Sequence, residues 1–179
     1  FTVDQHLVRR HTDKSLLSHN IVQQCPACVH HLKLAAAPQL LPERPYKNNY
    51  SLVSENLFIN PGDCAWILSL GPQDLDTQAL VENVIIERNL FDVPGKVAIE
   101  SRGANGVTIR NNVFRYCREV ITIGDGVAGF SVWRDWGIYN NTYWTSAQEG
   151  FFLNLGAPVS YTHLTLPTIS SVYISVVAV

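Results

Sequence analysis

Lys33, His31, Glu100, Arg102 and Asp125 are ionisable residues that lie in, or just past, short segments of alternating apolar character. Each type has a chemistry open to it. A lysine of lowered pKa can take a proton from the carbon beside a carboxylate. His31 or Arg102 can meanwhile neutralise that carboxylate, and an acid serves the departing oxygen. Glycoside hydrolysis asks instead for two carboxyl groups, one acid and one base, and Glu100 with Asp125 is the candidate pair. Outward Lys, His and Glu are also ordinary solubilising residues, so a non-catalytic surface stays open.

Two other clusters carry reactive types. Cys25-Pro26-Ala27-Cys28 has redox spacing, but a redox pair needs a strand-to-helix context, and here the pair falls in a loop between apolar strands. With His30 and His31 it could supply zinc ligands, although no second spaced pair accompanies it. A loop disulfide, with Cys64 and Cys117 as buried thiols, is the plainer reading. Residues 1–13 gather His6, Arg9, Arg10, His11 and Asp13. They read as the end of a preceding coil, with Phe1-Thr2-Val3 as strand and the rest as loop. Such a loop can bind an acidic sugar or simply be solvated.

The elements that position these residues repeat. Asn20, Asn56, Asn89, Asn112 and Asn141 each stand at a bend, at intervals of 36, 33, 23 and 29 residues. Three residues before each stands Leu17, Val53, Ile86, Ile109 or Ile138, and two after stands Val22, Phe58, Phe91, Phe114 or Tyr143. A second short strand follows: Leu32-Lys33-Leu34, Leu68-Ser69-Leu70, Val97-Ala98-Ile99, Ile121-Thr122-Ile123 and Leu153-Asn154-Leu155. Period two makes the apolar members inward ladders. It makes His31 and Lys33, Ile67 and Ser69, Ala98 and Glu100, Val120 and Thr122, and Phe152 and Asn154 outward. Asn suits the bend because it tolerates the left-handed backbone and because its amide can donate and accept between coils.

Between these units lie excursions at 35–50, 71–79 and 124–136. The last gathers Phe130, Trp133 and Trp136, with Trp144 nearby. Such rings can stack on sugar faces or cover the side of the fold.

The five-rung pattern, over about residues 14 to 157, resembles the right-handed parallel β-helix of the pectate-lyase-like superfamily. The expectation is an all-β, right-handed parallel β-helix of about five coils over residues 1–158, truncated from a longer solenoid. The resemblance implies a substrate groove along the sheet of second strands, walled by loops. It also implies a polysaccharide partner, a secreted or cell-surface location, and lyase chemistry on uronic-acid glycans ahead of glycoside hydrolysis. Lys33 would then be the base, assisted by His31 or Arg102. Calcium enters by that analogy alone, and the clustered acidic residues that hold it in some relatives are not evident. A carbohydrate-binding or purely structural solenoid is the alternative.

Composition agrees with a globular chain: 179 residues, 46% hydrophobic, 16% charged, net charge −2. No basic stripe suggests nucleic acid and no apolar run has membrane-spanning length. The chain starts at Phe1 and has no Met, as a piece of a longer protein or a processed form would. Residues 159–179 break the pattern. Val159-Ser160-Tyr161-Thr162-His163-Leu164-Thr165-Leu166-Pro167-Thr168 resembles the translation of a sequencing-library transposon adapter. After a variable index, Val172 and Ile174 to Val179 fit its continuation, with Tyr173 in place of a stop. The expectation is a non-natural tail, outside functional reasoning. The alternative is a natural β-rich tail.

Overall fold

Each coil turns on a left-handed residue placed one position before its ladder asparagine. His19, Glu55, Arg88, Asn111 and Asn140 have φ between 52° and 57°. None of Asn20, Asn56, Asn89, Asn112 or Asn141 does. The expected left-handed role of the ladder asparagines is therefore corrected: the strain falls on the preceding, solvent-facing residue, and the asparagine is left to bond.

Its bonding follows one rule along the whole stack. The backbone N–H and the Nδ2 of Asn56 both donate to Asn89 Oδ1 at 3.0 Å. Asn89 treats Asn112 in the same way, and Asn112 treats Asn141. A second Nδ2 hydrogen reaches back to the strand of the coil before, as from Asn89 to the Val53 carbonyl at 2.9 Å. The inner amides are 1–2% exposed, so this ladder satisfies polar groups that water cannot reach.

The computed structural model describes residues 6–10, 14–23, 30–34, 48–59, 62–71, 81–123, 133–144, 151–155 and 159–164. All their regular elements are strands, in three parallel sheets. Sheet A stacks β1 (His6–Arg10), β4 (His30–Leu34), β7 (Trp66–Leu70), β10 (Val97–Ser101), β13 (Glu119–Ile123) and β16 (Phe151–Leu155). Sheet B stacks β2 (Ser15–Ser18), β5 (Asn48–Ser54), β8 (Val81–Glu87), β11 (Ala104–Arg110), β14 (Trp133–Tyr139) and β17 (Val159–Leu164). Sheet C stacks β3 (Ile21–Gln23), β6 (Leu57–Ile59), β9 (Leu90–Asp92), β12 (Val113–Arg115) and β15 (Thr142–Trp144). Every coil passes from B through the asparagine corner to C, then to A. The protein is a parallel β-helix of about five coils.

The inward ladders pair as expected. Leu17, Val53, Ile86, Ile109 and Ile138 share one register, and Val22, Phe58, Phe91, Phe114 and Tyr143 another. Phe58, Phe91 and Phe114 stack with ring centroids 4.6 and 4.9 Å apart. All three are fully buried, each contributing about 2–3 kcal/mol by burial.

The third coil departs from the expected alignment. Ile99, not Val97, pairs with Leu68 and Ile121, so Ser101 takes the inward place held by Leu34, Leu70 and Ile123. This coil also has the shortest way from A to B: β10 ends at Ser101 and β11 begins at Ala104. The tight passage leans on Gly71, whose φ is +117° and whose missing Cβ would stand 2.7 Å from the Gly103 nitrogen.

Two boundaries move. His6–Arg10, expected as loop, forms a strand, and the expected strand Phe1-Thr2-Val3 lies outside the described residues. Trp133 to Trp136 belongs to β14 rather than to an excursion. In β17, Val159–Leu164 pairs with β14 with register shifts, so the start of the tail adds a strand to sheet B.

Candidate functional site

Lys33, Ser69, Glu100, Thr122 and Asn154 occupy one register across β4, β7, β10, β13 and β16. Parallel pairing sets such residues about 4.8 Å apart. They lie on the outer face of sheet A, as alternation predicts, and the first three bond to one another. Lys33 Nζ donates to Ser69 Oγ at 2.8 Å, and Ser69 Oγ donates to Glu100 Oε2 at 3.0 Å. Arg102 Nε donates to Glu100 Oε1 at 2.8 Å. Solubilising surface does not describe these three: Lys33 is 2% exposed, Ser69 0% and Glu100 4%.

The other expected outward row turns inward. Ile67, Ala98, Val120 and Phe152 pack in the core, and His31 shares both their register and their burial. Strand β13 shows why. Thr122 Oγ1 donates to Glu119 Oε2 at 2.6 Å, which puts residues three apart on one face. Val120 and Ile121 between them both enter the core. The strand bends there, and alternation breaks at the same level in each coil.

The bend brings a different row outside: His30, Trp66, Val97 and Glu119. His30, not His31, therefore joins the polar cluster. Its Nε2 stands 3.5 Å from Glu100 Oε2, a long contact that becomes an ion pair when the imidazole is protonated. Its ring stacks on Trp66 at 5.3 Å, and Arg102 lies over the same indole at 5.5 Å. Coils on either side of Trp66 thus supply the two groups against it. Glu119 accepts from Thr122 and also from Asn154 Nδ2 at 3.1 Å. Trp66 and Glu119 were not expected here. Their signal in the sequence is an apolar pair directly after each, Ile67-Leu68 and Val120-Ile121, where alternation would allow one apolar residue.

Comparison with known protein families, with curated proteins and with solved structures finds no match for this chain. The site is accordingly read from its own chemistry.

Burial by itself would raise the Glu100 pKa. The His30 imidazole, the Arg102 guanidinium beside it and the Lys33 ammonium more than offset that, and hold the carboxyl below its usual value. Glu100 is thereby an ionised acceptor rather than a proton donor. Arg102 keeps about a third of its side chain exposed, and its Nη atoms make no hydrogen bond among the described residues. It presents a planar donor edge to solvent at the rim of a buried anionic centre.

Asp125 lies outside the described residues, as do Cys25 and Cys28. Cys64 and Cys117 are buried thiols, and burial pushes the Cys117 pKa up to about 12, which makes it inert. Among the described residues no three of His, Cys, Asp and Glu converge in a way that fits calcium or zinc.

Proposed function

We propose that this protein is a polysaccharide-active β-helix, of the pectate-lyase-like kind, that holds a uronic-acid glycan against the outer face of sheet A. The observation that carries the reading is Arg102: a guanidinium edge left open beside Trp66, anchored by its Nε on Glu100. That edge matches a carboxylate bidentately, and its anchoring limits the conformational freedom lost on binding. A polymeric substrate of this kind goes with a secreted or cell-surface location.

Elimination stands ahead of hydrolysis. Hydrolysis by the Glu100 and Asp125 pair needs one protonated carboxyl, and with Glu100 held ionised that part would fall to Asp125. Elimination needs a cation at the substrate carboxylate, and Arg102, held on Glu100 through Nε, has its outer edge for that. In that reaction a base removes the proton beside the uronate carboxylate. The electron pair forms the carbon–carbon double bond, the bond to the leaving oxygen breaks, and that oxygen takes up a proton. Lys33 is the candidate base, and for that step its ammonium must first give up a proton to become the free amine. A second reading, binding without turnover, is favoured by the 2% exposure of Lys33.

The test is product analysis on a polyuronide. Unsaturated uronate ends that vanish in Lys33→Ala support elimination. New reducing ends without unsaturation would support hydrolysis, and retention on the polymer without products would support binding alone.

A further inference from the structure

A second cluster, on sheet C, remains outside that site. Asp92, Arg115 and Trp144 share one outward register on β9, β12 and β15. Tyr116 follows Arg115 directly. The Tyr116 and Trp144 rings stand 4.8 Å apart at 53°, and the Arg115 guanidinium lies 5.4 Å from Trp144 and 5.5 Å from Tyr116. Three features set the group apart from ordinary surface. Trp144 is 48% exposed, among the largest apolar exposures described. Tyr116 holds φ at 58°, a conformation costly for a bulky side chain, and its N–H donates to the Trp144 carbonyl at 2.9 Å. Among the described residues Arg115 makes one long polar contact, Nη1 to Asp92 Oδ2 at 3.5 Å, and its buried Nε has no hydrogen-bond partner.

A guanidinium fixed by two rings, with donors largely unused, is organised to receive an anion at its edge. The exposed indole next to it offers an apolar face of the size of a pyranose ring. An extended polyanion would call for a row of cations, and this face pairs its one arginine with Asp92. We infer that the Arg115, Tyr116 and Trp144 cluster is a binding subsite for a single anionic sugar residue, whose acid group meets Arg115 and whose ring lies on Trp144. It is separate from the Arg102 rim on sheet A and needs no catalysis there.

The experiment is calorimetric titration of a short oligogalacturonate, its methyl ester and a sulfated oligosaccharide. The proteins are wild type, Arg102→Gln, and Arg102→Gln combined in turn with Trp144→Ala, Arg115→Gln or Arg115→Lys. The Arg102→Gln chain should still bind an acidic sugar, and each added substitution should weaken that binding about tenfold. Arg115→Lys weakens it too, since charge without the planar fork is not enough. The methyl ester should bind least, and whichever acid binds tighter, carboxylate or sulfate, names the source. Trp144 is half-exposed, so thermal unfolding should stay close to that of the parent. Loss of all binding in Arg102→Gln overturns this subsite while leaving the sheet A reading intact. Unchanged affinity in the Trp144 and Arg115 variants, or equal affinity for acid and ester, overturns it as well.

Discussion

Lys33 Nζ and Ser69 Oγ stand 2.8 Å apart on the outer face of sheet A, one coil from each other and almost sealed from water. The hydroxyl passes the contact on to Glu100, so an ammonium and a carboxylate two coils apart are joined through a neutral donor and acceptor. Ser69→Ala removes that link and leaves two buried charges less well satisfied. It is expected to cost about 2 kcal/mol, read as a lower urea midpoint with an unchanged slope.

Acid should expose the same arrangement. Glu100 has a folded pKa below its ordinary value of 4.5, so the unfolded chain binds its proton more readily than the folded one. The stabilisation is complete above the unfolded value and drains away as pH falls through the folded value. Wild type should exceed Glu100→Gln in stability at neutral pH, and the gap should close on acidification. A gap that stays constant with pH would show that the carboxylate charge is not what matters.

The asparagine ladder predicts a gradient along the stack. Asn89 is 2% exposed, and its Oδ1 takes both the N–H and the Nδ2 of Asn56. Asn89→Ala leaves those donors buried without their acceptor and should cost about 3 kcal/mol or more. Asn20, exposed at the first corner, gives only its own donors to Asn56, so Asn20→Ala should cost about 1 kcal/mol. Paired denaturation curves for the two variants decide this.

Ser101 stands in register with Leu34, Leu70 and Ile123, and among the described residues its buried hydroxyl has no hydrogen-bond partner. Ser101→Ala should therefore raise stability by about 1 kcal/mol, seen as a higher midpoint. A loss on this substitution would mean the hydroxyl is satisfied in solution.

The ladders were legible because repetition adds up: five asparagines in step with Ile109 and Phe114 equivalents leave one fold that buries them all. The site was legible in part. Alternation with Leu34, Leu70 and Ile99 places Lys33, Ser69 and Glu100 on the outer face. The same count fails two residues earlier, where the strand bends and His31 and Val120 turn inward, since a period says nothing about where a strand changes direction. His30, Trp66 and Glu119 lay behind that bend. The third coil was aligned on Val97 because Ser101 breaks the apolar pattern that marks the true register. The burial of Lys33 could not be read at all, for a strand's alternation gives the face and not what stands over it.

The central claim is that the outer face of sheet A receives an acidic glycan at Arg102. Its most direct test is the affinity of wild type and Arg102→Gln for a polyuronide and for a neutral polysaccharide of similar size, with sheet C disabled by Trp144→Ala in both. The account predicts binding of the polyuronide over the neutral polymer, and a loss of about tenfold or more with Arg102→Gln. Equal affinity for the two polymers, or for the two proteins, would contradict it.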